Sequence, residues 1–166
     1  MGHPDINLEL TYSSTNADEF PQPGTTVQVG GKNYCCVYNG GAASITVGLP
    51  VGVFLTTPAS GSVSVTAATM VDTTDGTTTR SECAGVGIGT IATTAYGWIQ
   101  TGGLCANLTT DGNVVAGDWV VLEDGAATVV RDVAAATNHF GRVGFAPVAD
   151  ASAVGTIFLT NCAFDY

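Results

Sequence analysis

An all-β domain of short antiparallel strands is predicted by three features of the sequence: its composition, its apolar alternation and its density of turn residues. Hydrophobic residues make up 45% of the 166 and charged ones only 11%. Ala, Val, Gly and Thr dominate over the long polar residues that favour helix. The expected architecture is a small barrel or sandwich with an extended amino-terminal arm and little helix. A chain of this length holds one core of useful size, so residues 1–19 are read as the arm and 20–166 as a single β domain.

In the arm, Ile6, Leu8, Leu10 and Tyr12 alternate with polar residues in the period of a half-buried strand. The polar run 13–16 interrupts it, and Phe20-Pro21-Gln22-Pro23-Gly24 forms a stiff elbow, because each proline fixes φ and disfavours helix before it. A strand so separated must find a partner, either its own sheet or a neighbouring subunit by strand addition. Between residues 20 and 71 the only charge is Lys32. Short strands are predicted at 25–29, 33–38, 43–47, 51–56 and 62–66, separated by Gly30-Gly31, Asn39-Gly40-Gly41, Leu49-Pro50 and the Pro58 to Gly61 turn. Charges are the usual protection of exposed sheet edges, so this segment is expected to lie partly between subunits.

The polar stretch 72–80 carries Asp72 and Asp75 but lacks the ligand order and terminal Glu of a calcium loop, and is read as a solvated tip. Beyond it, strands are predicted at 85–91, 97–101, 104–108, 119–122, 127–130, 142–145 and 155–160, with one helical turn at 132–138. Tyr96, Trp98 and Gln100 alternate with Gly97, Ile99 and Thr101. Trp119 to Leu122 is a β-branched apolar run bracketed by Asp111-Gly112 and Asp124-Gly125, dipeptides that favour tight reversals. Both Trp98 and Trp119 are therefore expected in core strands.

The formal charge is −10, and the four basic residues, Lys32, Arg80, Arg131 and Arg142, are scattered along the sequence. A nucleic-acid binder typically neutralises roughly 6–10 phosphates, so that partner class is excluded. No run approaches the roughly 18–20 apolar residues of a membrane helix, and no basic and apolar leader opens the sequence, so a soluble, unprocessed chain is expected. Cys35, Cys36, Cys83, Cys105 and Cys162 show no metal spacing and are read as small buried hydrophobes. Cys35 and Cys36 would face opposite sides of a strand, which leaves one of them a candidate for exposure.

Catalytic chemistry finds no foothold. His3 lies in the arm, His139 has no nucleophile signature beside it, Lys32 lacks a Ser-x-x-Lys spacing, and Glu123 and Asp124 are adjacent at a hairpin tip. Gly85, Gly87 and Gly89 alternate as in a strand that needs close approach, with no phosphate-loop lysine following. The expectation is a non-enzymatic protein with no cofactor and no metal.

The order Cys83 to Thr90, then Tyr96-Gly97-Trp98-Ile99-Gln100-Thr101-Gly102-Gly103, Val114 to Val121 with its Ala116-Gly117-Asp118-Trp119 turn, Phe140 to Ala146, and Gly155 to Leu159 resembles a domain of tailed-phage head decoration and minor capsid proteins. The resemblance covers about half the chain, and the Tyr-Gly-Trp-Ile-Gln-Thr-x-Gly run is its most particular element. It implies that Tyr96, Gly97, Trp98, Gln100, Gly117, Asp118 and Trp119 hold a small β-barrel together. It also implies a structural virion protein, made in the host cytoplasm and mounted on the capsid exterior, with the major capsid protein as partner. A homotrimer is the expected assembly, and Ile6, Leu8, Leu10 and Tyr12 are the expected capsid-binding arm. The alternative is a receptor- or glycan-binding β module of a tail tip or fibre, which needs exposed aromatics; core positions for both tryptophans weigh against it.

Overall fold

The computed structural model describes residues 8, 11–13, 21, 23–54, 64–67, 81–122, 128–132, 140–150 and 152–160. They form β1 (Tyr12–Ser13), β2 (Thr26–Val29), β3 (Lys32–Asn39), β4 (Pro50–Phe54), β5 (Ser64–Ala67), β6 (Ser81–Gly87), β7 (Ala95–Thr109), β8 (Trp119–Leu122), β9 (Val129–Arg131), β10 (Phe140–Phe145) and β11 (Val154–Leu159). No helix occurs among the described residues, so the all-β expectation holds. The hydrogen-bonded order is β2-β3-β5-β4-β6-β7-β11-β10-β8-β9, with β1 on β7 and a further β3–β7 pairing. Only the β3–β5 pairing among the named strands runs parallel.

The strand β7 organises both halves of the chain. Its first part pairs with β3 from Tyr96 to Gly102, and its second part with β11 from Gly103 to Thr109. The sequence predicts two strands here, because Gly102-Gly103 reads as a break; the ladder instead passes from one partner to the other across the glycines. Gly103 takes φ +82 there, and a Cβ on it would meet the Gly31 carbonyl oxygen at 2.5 Å. At 43–47 the expected strand is reduced to a single bridge between Ile45 and Ile91. The strand expected at 85–91 starts earlier, at Ser81, and stops at Gly87, where the backbone turns its hydrogen bonds to Gly48 and Leu49 instead. The helical turn expected at 132–138 and the tip at 72–80 lie outside the described residues.

Two main cores lie on the sheet. One gathers Cys35, Val37, Ile45, Val51, Ala84, Ile91, Ala95 and Ile99, the other Cys83, Val86, Cys105, Leu108, Val114, Val120, Leu122, Val129, Val143, Ala146, Ile157 and Leu159. A smaller cluster of Tyr34, Cys36 and Trp98 occupies the opposite face of β3 and β7, with Leu8, Val27 and Ile88 packed on it. Cys35 and Cys36 therefore belong to different clusters and both are fully buried, so neither is exposed as the sequence had left open. The sheet is covered on both faces at this point. Asn39, also fully buried, ties down the loop beyond β3: its Nδ2 donates to the carbonyls of Ala43, Ile91 and Ala92, and its Oδ1 accepts from the Gly41 N–H. That saturates the side chain and fixes the Ile45–Ile91 bridge beside it.

Trp98 is the largest fully buried side chain, at 1% exposure. Trp98→Ala is expected to cost about 3–5 kcal/mol, as buried aromatic truncations do, a large part of the 5–15 kcal/mol typical of a domain. Chemical denaturation that finds Trp98→Ala within about 1 kcal/mol of the parent overturns the structural role given to this residue.

Candidate functional site

The most distinctive surface runs across four neighbouring strands of the second half. In the observed register Trp119 of β8 faces Phe145 of β10, Phe145 faces Phe158 of β11, and Phe158 faces Leu104 of β7. Directly paired residues of antiparallel strands point to the same side. These four side chains therefore form one continuous apolar row. Their chain neighbours Val120, Gly144, Ile157, Leu159 and Cys105 turn the other way into the core. Trp119 and Phe158 are each 41% exposed and Leu104 45%, with Phe145 half-buried between the rings.

Local chemistry sets this geometry. Gly117, at φ +91, donates its N–H to the Ala146 carbonyl at 2.7 Å, and the Ala146 N–H returns to the Asp118 carbonyl at 2.8 Å. The Asp118 carboxylate accepts the Val115 N–H at 3.0 Å, closing the turn. This clamp holds the start of β8 against the end of β10, so Trp119 emerges beside Phe145. Gly144 lets β11 come close, since a Cβ there would stand 2.1 Å from the Phe158 carbonyl oxygen. The Trp119 and Phe145 rings meet edge-on at 6.0 Å, and Phe145 and Phe158 stack at 5.4 Å with planes 26° apart. A register irregularity between Arg142 and Gly144 brings the Arg142 guanidinium 4.9 Å from the Trp119 ring centre, while Arg142 Nε lies 3.4 Å from the Asp132 carboxylate. The two ring pairs are each worth about 0.5–1.5 kcal/mol and the exposed contact of Arg142 with the Trp119 ring about 0.5–1 kcal/mol, so the row is held together by its own contacts.

The structure thus separates the two tryptophans. Trp98 is core, as expected; Trp119 is not, because β8 begins at the sheet margin and its first side chain points outward while Val120 to Leu122 are buried. The other motif residues serve the scaffold. Tyr96 packs on Tyr38 at 5.1 Å, Gly97 makes room for Ile91, whose side chain a Cβ would meet at 2.6 Å, and the buried Gln100 donates to the Gly102 carbonyl at 3.1 Å. Of the arm, Leu8 packs on the Tyr34–Cys36–Trp98 cluster and Tyr12 pairs with Tyr96 on the chain's own sheet. Ile6 and Leu10 lie outside the described residues. Phe145, Phe158, Leu104 and Arg142 were not singled out from the sequence. The alternation Gly144-Phe145 and Ile157-Phe158-Leu159 signals an outward aromatic on each strand, but only the register shows that they align.

Among the described residues no group of three or more His, Cys, Asp or Glu is placed to hold a metal, and no helix is long and apolar enough to cross a membrane. His3, His139, Glu123 and Asp124 lie outside the described residues. No known protein family, curated protein or solved structure matches the chain.

The buried thiols are chemically quiet. Burial pushes Cys35 up to about 11 and Cys36 up to about 12, the latter also raised by its neighbour Cys35; burial likewise raises Cys105. The thiolate is the reactive form, so these residues are poor nucleophiles at neutral pH. In the unfolded chain the same thiols ionise near 9.0. Above that pH the unfolded state holds fewer protons than the folded one, so stability falls as pH rises from 9 toward 11. The slope is about 1.4 kcal/mol per pH unit for each thiol, with no contribution below pH 8. Denaturation series at pH 7, 9 and 10.5 check this, and the slope from Cys35 is expected to vanish in Cys35→Ala measured against its own pH 7 value.

Proposed function

We propose that the chain is a non-enzymatic structural protein of a tailed-phage virion, bound to the outside of the capsid shell. The observation that carries its being an interaction protein is the exposed row of Trp119, Phe145, Phe158 and Leu104, held rigid by its own stacking and by the Gly117–Asp118 clamp. Tryptophan, phenylalanine and arginine are the residues over-represented at the centres of protein interfaces. The virion assignment itself rests on the resemblance of the Tyr96 to Gly103 run and the segments around it to head decoration proteins. The acidic balance fits a protein kept soluble before assembly and away from the nucleic acid inside the shell. In this reading the major capsid protein is met by Ile6 and Leu10 of the arm, whose other two apolar residues, Leu8 and Tyr12, are taken up by the chain's own sheet, and by the charge-poor first half.

The receptor- or glycan-binding reading gains one observation, the exposure of Trp119. Ring geometry works against it: a sugar stacks on an open aromatic face, whereas Phe145 and Phe158 turn their faces toward one another and Arg142 covers a face of Trp119.

Binding to purified heads, followed by co-sedimentation, tests the reading. Deleting residues 1–19 is expected to abolish binding and also to lower the melting temperature, because Leu8 leaves the Trp98 cluster. The double substitution Ile6→Ser and Leu10→Ser separates the effects. It is expected to lower head occupancy at least about tenfold, the equivalent of 1.4 kcal/mol, with the melting profile unchanged. Undiminished occupancy in both variants overturns the arm as the attachment device, and a parent chain that ignores heads overturns the virion reading.

A further inference from the structure

We infer that Asn39 is a covalent modification site open only to the unfolded chain, where its side-chain amide is lost by spontaneous deamidation, and that the modified chain cannot fold again, whatever surface the folded protein binds.

Of the asparagines in the sequence only Asn39 is followed by glycine. That step is the one most open to deamidation, because a glycine puts no side chain in the way of its own amide nitrogen and bends freely. The Gly40 nitrogen bonds to Asn39 Cγ, the Cγ–Nδ2 bond breaks, and Nδ2 leaves as ammonia carrying the proton that Gly40 has shed. Water then opens the cyclic imide at either carbonyl. The products are aspartate, and isoaspartate with the main chain running through the former side chain.

The fold closes every step of this route. Asn39, the last residue of β3, is fully buried, so the water that opens the imide is kept away. Its Nδ2 donates to the carbonyl oxygens of Ala43 at 2.9 Å, Ile91 at 3.0 Å and Ala92 at 3.2 Å, and its Oδ1 accepts the Gly41 N–H at 3.0 Å. Its main-chain carbonyl accepts the Thr94 N–H at 2.9 Å, and the residue stands in register with Val65 of β5. Turning Cγ toward the Gly40 nitrogen would break the side-chain bonds together and strip a donor from three carbonyls.

The same contacts reject the product. An aspartate places an oxygen anion where Nδ2 stood, against three carbonyl oxygens, so each attraction becomes a repulsion in a site closed to water. Isoaspartate fails differently: it adds a carbon to the main chain at the end of β3, where the loop that follows is fastened by the Ile45–Ile91 bridge. Modification of an unfolded molecule therefore removes it from the folding pool, which makes prolonged unfolding irreversible. Molecules that fold promptly keep Asn39 intact.

The test unfolds the full chain in guanidinium chloride just above neutral pH, with a thiol reductant because five cysteines are present, and takes samples over time for peptide mass mapping and for refolding by dilution. Intact Asn39 and refolded protein are expected to decline together. The folded chain kept in the same buffer without denaturant is expected to lose Asn39 at least about a hundredfold more slowly, since only roughly 10⁻³ or fewer of the molecules are unfolded at any time. Gly40 is exposed and outside the left-handed region, so Gly40→Ala is expected to fold, to deamidate more slowly when unfolded and to keep its refolding yield. Unfolding the parent at mildly acidic pH, where the Gly40 nitrogen gives up its proton far less readily, is expected to preserve the yield without any substitution. Asn39→Asp made directly is expected to be unfolded. Deamidated chains that regain the parental melting curve, a folded chain that loses Asn39 as fast as the unfolded one, an Asn39→Asp variant that folds like the parent, or a yield that falls while Asn39 stays intact each overturns the inference.

Discussion

Two ladders share one strand, and most of the architecture depends on how β7 serves both. Over its first half it is hydrogen-bonded to β3, over its second half to β11, and the exchange takes place at Gly102 and Gly103. Any side chain at Gly103 would strike the turn between β2 and β3. That single point sets where β3 begins and β11 ends, and so where Phe158 and Leu104 stand. The cluster around Trp98 on one side and the Cys35 to Ile99 core on the other are then consequences of a sheet covered on both faces.

Much of this was legible in the sequence. Alternation and turn residues located most strands of the second half, including Trp119–Leu122 with the bounds observed. The differences have separate causes. The Gly102-Gly103 pair reads as a break between two strands, yet in a sheet with close neighbours a glycine marks where another backbone passes, and β7 continues through it. Trp119 was expected inside because a run of apolar residues reads as a buried strand, but the first residue of such a strand at a sheet margin keeps the outward side. Ile45 lies in a segment with a strand's composition and makes only a bridge, because Asn39 holds the preceding loop to Ile91 and Ala92.

The candidate surface was less legible than the fold. Each of its residues is unremarkable alone, since single exposed hydrophobics are ordinary on protein surfaces. Their meaning comes from alignment across four strands that are far apart in sequence, and a register of that kind is decided by bulges such as the one between Arg142 and Gly144. The Gly117-Asp118 turn, by contrast, was visible as part of the motif; its effect, delivering Trp119 to the surface, was not.

The β3–β7 ladder also sets a constraint on how the chain is made. Tyr38 pairs with Tyr96 and Asn33 with Gly102, so β3 waits for some sixty residues of further synthesis before its partner exists. At about 5–20 residues per second this is on the order of 3–12 s. During that interval the nascent first half presents unfilled strand edges whose only charge between residues 20 and 71 is Lys32. Sequences of this kind pair readily with one another when edges are left open. Synthesis in a crowded polysome therefore exposes the first half to mispairing before β7 arrives, and expression slowed at or after residue 71 would lengthen the exposure in proportion.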